Sequence, residues 1–366
     1  MKILILMETE VFSGPAKNLL ETLKLLRGQV EFEVATYLRG NAQSSAFIDA
    51  FRGAGFSVHV VRERFRYDPS TLGRLRRIMR DVSPDIVQVH NSKSRLFITF
   101  LRRGLKNAGI REVHYFHGET WVDRKQHFYN LLDRALFRCV PNVVVVAEYQ
   151  KRLLCKWGVP EGRIAVIYNG IGVQTETVPA SGRDKGFLLA VGRLSREKGH
   201  CILLEAVQLL QRRGVNGFKL HVVGEGPERS KLERCITEKK LGAMVCLEGY
   251  RSDPSDFYGL AGLFILPSMS EGFPNVLLEA AMHGVPVISF DVGGIPEIFR
   301  NGEEAVLLSD HSAEALADAM QDYLRNPDNY REMAAHARAR IVRDFSLEAK
   351  AKRLLEYYKE ILAQRR

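Results

Sequence analysis

Cysteine is scarce: five in 366 residues, at positions 139, 155, 201, 235 and 246, never spaced as Cys-x-x-Cys. Neither a disulfide-stapled secreted scaffold nor a cysteine metal clip fits that pattern, and reduced thiols in a cytosolic protein are the expectation. No run of 18 uncharged apolar residues occurs, so any bilayer contact has to be made by a surface. The apolar run 3–7 follows a single Lys2 and is closed by Glu8, too short for a signal peptide, and reads as a first buried strand. Low-complexity tracts are also missing. With 46% hydrophobic and 26% charged residues, the composition is that of a folded chain. No Gly-x-Gly-x-x-Gly turn follows an early strand, and Arg229 stands where Gly224-x-Gly226 would need a third glycine. A nicotinamide-dependent oxidoreductase is therefore unsupported.

The length suits two domains, each large enough to bury its own core. The formal charge of +10 is placed unevenly, since residues 1–175 hold 27 Lys and Arg against 16 Asp and Glu, and the remainder 26 against 27. Seven arginines lie in 62–80 and six basic residues in 93–111, the latter with no acid. Such clusters are either a solvated helix face or a patch for an anionic partner. Nucleic acid is not the expected partner, because no recognition motif accompanies the charge.

Short apolar, β-branched runs recur at 3–7, 32–37, 58–61, 86–90, 113–116, 143–147 and 165–168, separated by segments of helical periodicity. A second series lies at 188–191, 220–223, 245–247, 263–266, 285–290 and 305–308. Continuously apolar strands alternating with helices predict parallel sheets covered on both faces, one per domain. The joint falls in the polar stretch 174–185, which contains Pro179, Ser181 and Gly182. Near the end, Ser346 can cap a helix carrying Leu347, Ala351, Leu354, Leu355, Tyr358, Ile361 and Leu362 on one face. That stripe needs a groove, either on its own domain or back on the first.

Two strand-to-helix turns carry the chemistry. After the strand ending near Leu266 comes Glu271-Gly272-Phe273-Pro274-Asn275 and a helical segment containing Glu279. Backbone N–H groups at a helix entrance favour an anion, and the two carboxylates suit sugar and ribose hydroxyls on different parts of one ligand. After the strand 188–191 comes Gly192-Arg193-Leu194-Ser195-Arg196-Glu197-Lys198-Gly199. Arg193 and Lys198 flank that turn at the carboxyl edge of the sheet, where two cations would neutralise a diphosphate and its growing charge as it leaves.

Taken with Gly224-Glu225-Gly226-Pro227, Gly293-Gly294-Ile295-Pro296-Glu297 and Asn169-Gly170-Ile171, these elements resemble the large retaining glycosyltransferase family four. The resemblance covers nearly the whole chain and is strongest over 188–297. It implies an α/β chain of GT-B fold, two doubly wound Rossmann-like domains facing a cleft. Residues 1–175 would form the acceptor-binding domain, 183–345 the nucleotide-sugar domain and 346–366 a terminal helix. It also implies roles. Glu279 would hold the ribose, Glu271 and the backbone of Gly272, Phe273, Pro274 and Asn275 the transferred sugar, and Arg193 with Lys198 the diphosphate. Gly14, in Ser13-Gly14-Pro15, occupies the place of the family's glycine-rich loop, with one glycine of the usual pair replaced by Ser13. His117 matches the histidine beside the reacting carbon, and His90 closes a strand that could line the same cleft. The catalytic set is thus His117, Glu271, Arg193 and Lys198. Gly172 departs from the aspartate common after Asn-Gly-Ile. Family members hold no bound metal, and the chain has no Asp-x-Asp motif. No cofactor is expected beyond the nucleoside-diphosphate sugar as co-substrate.

A retaining, metal-independent hexosyl or N-acetylhexosaminyl transfer from such a donor, with uridine the favoured base, is the reading that follows. The acceptor would be a glycan or lipid-linked glycan of cell-envelope polysaccharide synthesis. A sugar-nucleotide epimerase and a non-catalytic sugar-nucleotide-binding subunit are the rivals. The apolar run 96–101 followed by Arg102-Arg103 reads as an interfacial helix, which predicts a cytoplasmic protein in peripheral contact with the anionic inner face of a membrane.

Overall fold

The computed structural model describes residues 1–8, 12–40, 42–118, 124–173 and 183–364. The chain divides into two units, one of residues 1–170 with 347–366 and the other of residues 171–346. The expected joint at 174–185 lies largely outside the described residues; the division falls at Gly170 and Ile171.

The first unit is built on a seven-stranded parallel sheet. In chain order its strands are β1 (Lys2–Leu6), β2 (Glu31–Arg39), β3 (Ser57–Glu63), β4 (Ile86–Val89), β5 (Arg111–Phe116), β6 (Val143–Val145) and β7 (Ile164–Val166). They lie side by side as β3-β2-β1-β4-β5-β6-β7. The apolar runs are continuous because alternate residues feed two cores. Ile3 and Ile5 pack on one face with α1 (Gly14–Leu26) and α2 (Ala46–Gly53), while Leu4 and Leu6 pack on the other with α3 (Ser70–Val82) and α4 (Ser92–Asn107). The order reverses between β1 and β4, so the carboxyl ends of these strands flank the place where open α/β sheets bind ligands.

Of the two grooves open to the terminal helix α14 (Leu347–Ala363), the first unit's is the one occupied. Ala351, Leu354, Tyr357, Tyr358 and Ile361 join the core of α1, α2 and β1. Tyr357 replaces the expected Leu362, which is 37% exposed.

The second unit has a six-stranded parallel sheet of β8 (Asp184–Val191), β9 (Lys219–Val223), β10 (Val245–Gly249), β11 (Ala261–Leu266), β12 (Val287–Phe290) and β13 (Val306–Leu308). Their spatial order is β10-β9-β8-β11-β12-β13. Its reversal lies between β8 and β11, the strands that precede the two turns singled out in the sequence. Helices α7 (His200–Arg212) and α12 (Ala313–Arg325) cover one face.

The expected interfacial helix is corrected. In α4, Phe97, Ile98 and Leu101 are the core face, and only Phe100 of the apolar run is exposed, at 66%. Lys93 and Arg95, counted in the basic patch, are buried at 1% exposure each. Lys93 reaches Glu63 at 2.6 Å and Glu8 at 2.9 Å, and Arg95 pairs with Asp133. Lys93 and Arg95 count as surface charge only while their carboxylate partners, far off in sequence, are unknown. Among the described residues no helix is long and apolar enough to cross a membrane.

Candidate functional site

In the second unit four strand-to-helix loops interlock at the carboxyl edge of the sheet. Gly192 N donates to Val223 O at 3.0 Å and Leu194 N to Glu225 O at 2.9 Å, joining the loops after β8 and β9. Met269 N donates to Glu197 O at 2.8 Å, joining the loop after β11 to that after β8. Three glycines make the closest approaches, Gly224 lying against Gly192 O and two others binding loop to loop. A Cβ on Gly199, whose φ is +68°, would lie 1.8 Å from Pro267 O, and one on Gly293, at φ +61°, would lie 1.9 Å from Glu271 O. Only glycine fits either place.

This interlock brings Lys198 to Glu271. The ammonium Nζ stands 2.6 Å from Oε1 of a carboxylate whose side chain is 7% exposed. An ammonium has three donors, so Lys198 can hold Glu271 and an oxygen of a bound anion together. Arg193 is exposed on the same loop. After Gly272, the side chains of Phe273 and Pro274 are buried, Phe273 packing 5.3 Å from the Phe345 ring, so this segment offers a ligand its backbone. Pro274 caps α10 (Asn275–Met282), whose first turn carries no acid to offset the positive end of the helix.

Glu279 lies one turn inside α10. Its Oε2 accepts the Tyr258 hydroxyl at 2.9 Å, from the helix α9 (Ser255–Leu260) that precedes β11. Burial and the Glu279 charge push the Tyr258 phenol well above its usual range, so it stays a donor and fixes the carboxylate's orientation. The two acids thus have separate partners, as their spacing implies. Sequence reasoning missed Tyr258, which stands 21 residues before Glu279 with no motif around it.

The first unit holds His117 and Gly14. Gly14 opens α1 with Pro15 in its first turn, while the residues before the loop at 9–11 are outside the described set. His117 follows β5, and its Nε2 lies 2.9 Å from Nδ1 of His90, which follows β4. His90 sits between the strand and Asn91, whose side chain accepts from Ser94 N at 2.9 Å to cap α4, so its position is fixed from both sides. The rings of His90 and Tyr115 stack at 4.4 Å. Burial, with the charges of Lys350 and Arg95, pushes His117 down to about 4. Burial also pushes the Lys350 amine down to about 7, and its ammonium bonds Asn18 Oδ1 on α1. Neither Lys350 nor the Glu8, Glu63 and Lys93 cluster carried a signal in the sequence, because each depends on pairing between distant segments.

Chain comparisons agree with this architecture. Residues 13–175 match the family model Glycosyltransferase Family 4, and residues 174–340 match Glycosyl transferases group 1. The alpha-D-kanosaminyltransferase of Streptomyces kanamyceticus is 31% identical over 49% of this chain and 46% of its own length. The lipopolysaccharide core biosynthesis glycosyltransferase LpsE of Rhizobium meliloti is 28% identical over 50% of this chain and 51% of its own. The chain thus spans about half the length of the curated relatives it matches. Among solved structures, Anabaena HepE in complex with UDP-glucose has a TM-score of 0.84 at 19% identity, covering 98% of this chain and 100% of that one, a likeness of fold. The two family matches together run from residue 13 to residue 340, and the chain belongs to the GT-B glycosyltransferases of the group 1 and family 4 type.

Proposed function

We propose that this chain transfers a hexose or N-acetylhexosamine, with retention of anomeric configuration and without a metal ion, from a nucleoside-diphosphate sugar to a glycan or lipid-linked glycan of the cell envelope. The observation that carries the reading is the Lys198–Glu271 contact at the reversal point of the second sheet. A cation and an acid side by side suit the junction of a pyrophosphate with its sugar, which is why the contact supports the reading. Arg193 and Lys198 take the diphosphate, whose charge grows as the glycosidic bond breaks, so their attraction is greater in the transition state than before it. Glu279, held by Tyr258, takes the ribose, and the backbone at 272–275 with Glu271 takes the sugar. No side chain is assigned as nucleophile. The departing phosphate receives the acceptor's proton on the face it leaves.

Relatives named for lipopolysaccharide core synthesis and a neighbour solved with UDP-glucose support an envelope acceptor and a uridine donor. A peripheral membrane contact on the cytoplasmic side rests on the groove between α3 and α4. Its 950 Å³ is lined by Arg76, Arg80 and Arg103 beside the exposed Phe100.

Incubation with UDP-glucose, UDP-galactose, UDP-N-acetylglucosamine and GDP-mannose, followed by proton NMR, tests the reaction. Slow release of the nucleoside diphosphate with the α-anomer of the sugar appearing first is expected. First appearance of the β-anomer refutes retention, and an epimerised sugar nucleotide refutes transfer itself.

A further inference from the structure

His117 ends a buried chain of hydrogen bonds whose far end is on the terminal helix. The Tyr358 hydroxyl donates to Gln88 Oε1, Gln88 Nε2 lies 2.7 Å from His90 Nε2, and His90 Nδ1 lies 2.9 Å from His117 Nε2. Gln88 and Tyr358 are 0% exposed and His90 is 8%. Water therefore has little part in setting the directions of the links.

Each direction follows from the one before. A carboxamide oxygen only accepts and its nitrogen only donates. With Gln88 Oε1 turned to the Tyr358 hydroxyl, Gln88 Nε2–H has to meet a lone pair on His90 Nε2. A neutral imidazole carries its single proton on the other nitrogen, so His90 is protonated at Nδ1 and donates to His117 Nε2. The same step places the His117 proton on Nδ1.

We infer that Tyr358, Gln88 and His90 are positioning residues that hold His117 as its neutral Nδ1–H tautomer, with Nε2 engaged inside the protein and Nδ1–H left as its donor. Neutrality has its own support: burial, His117, Lys350 of α14 and Arg95 of α4 hold His90 well below the ordinary range, and the latter two cations act on His117 in the same sense.

Resting on the proposed transfer, the assignment defines what His117 does there. It is a hydrogen-bond donor through Nδ1 and not a base, since Nε2 is already occupied by His90, and the acceptor's proton goes to the leaving phosphate. It also gives the returning helix a role in the site, since removing the Tyr358 hydroxyl leaves the Gln88 carboxamide without its fixed orientation.

The test is a two-bond proton–nitrogen correlation spectrum of ¹⁵N-histidine-labelled protein at pH 7.5 without ligand, with His117 and His90 assigned by His117→Gln and His90→Gln. Protonated Nδ1 and bare Nε2 at both residues is the expected pattern. Tyr358→Phe, which keeps the ring, should mix the two tautomers at His117 and lower kcat by roughly tenfold, the effect of one neutral hydrogen bond. A protonated Nε2 at His117 in the parent protein, or an unchanged spectrum in Tyr358→Phe, overturns the inference whatever the turnover. The expected spectrum with no turnover on any nucleotide sugar overturns the transfer reading and leaves the tautomer standing.

Discussion

Lys198 and Glu271 are 73 positions apart, and their contact at 2.6 Å makes each the condition of the other. Removing the lysine leaves a carboxylate of 7% exposure without its cation, which costs more than the loss of one phosphate contact. Lys198→Ala should lower kcat for donor hydrolysis by about a hundredfold, and Lys198→Ala/Glu271→Gln should lose less than the product of the two single losses, as coupled residues do. Strictly multiplicative losses would deny the coupling. Glu279→Ala should weaken UDP binding by roughly 10- to 100-fold, the range of a charge-assisted hydrogen bond, with Tyr258→Phe weaker in the same titration. The acids and cations were legible in the sequence because each sits in a local pattern at a strand end. Tyr258, the partner of Glu279, and the chain of Gln88 and His90 leading to His117 were not identified as such, since a hydrogen bond between distant segments leaves no spacing to read.

Helices and strands were legible wherever one periodicity was decisive. All thirteen apolar runs correspond to strands, because a strand buried on both faces needs no knowledge of its neighbours to look apolar. The run in α4 misled for the converse reason: its stripe of Phe97, Ile98, Leu101 and Leu105 fits a core as well as a bilayer surface, and only the tertiary contacts decide. Phe100→Ser should therefore change urea stability by less than about 0.5 kcal/mol, as exposed positions do, while reducing salt-sensitive binding to anionic vesicles. The motif glycines Gly199 and Gly293 let one loop lie against the next carbonyl. Gly293→Ala should destabilise the protein by more than about 1 kcal/mol in urea titration and weaken UDP binding, since Glu271 has to shift to admit the methyl group. Unchanged stability would mean the loops are not interlocked as described.

At the scale of the molecule, burial sets the response to acid. His114, His117 and His200 are each pushed from 6.5 down to about 4. Between those values the unfolded chain binds protons that the folded chain refuses, so folding stability is complete above pH 6.5 and falls as the pH drops toward 4. Urea midpoints measured from pH 7.5 to 4.5 should decline across that window, and a flat profile would contradict the burial of these rings. The return of the terminal helix to the first unit was one of two outcomes the sequence allowed, because an amphipathic stripe specifies a groove without naming it.

The transfer proposed for this chain requires the carboxyl edge of the second sheet to be a nucleoside-diphosphate site. Thermal unfolding with a saturating UDP-glucose series measures this directly. At a hundred times its Kd a ligand adds about 2.7 kcal/mol, so the melting curve should rise clearly with the parent protein and, with binding weakened 10- to 100-fold, by only about 0.4 to 1.4 kcal/mol with Glu279→Ala at the same concentrations. No rise with UDP-glucose, UDP-N-acetylglucosamine or GDP-mannose, or an equal rise in the variant, would contradict the account.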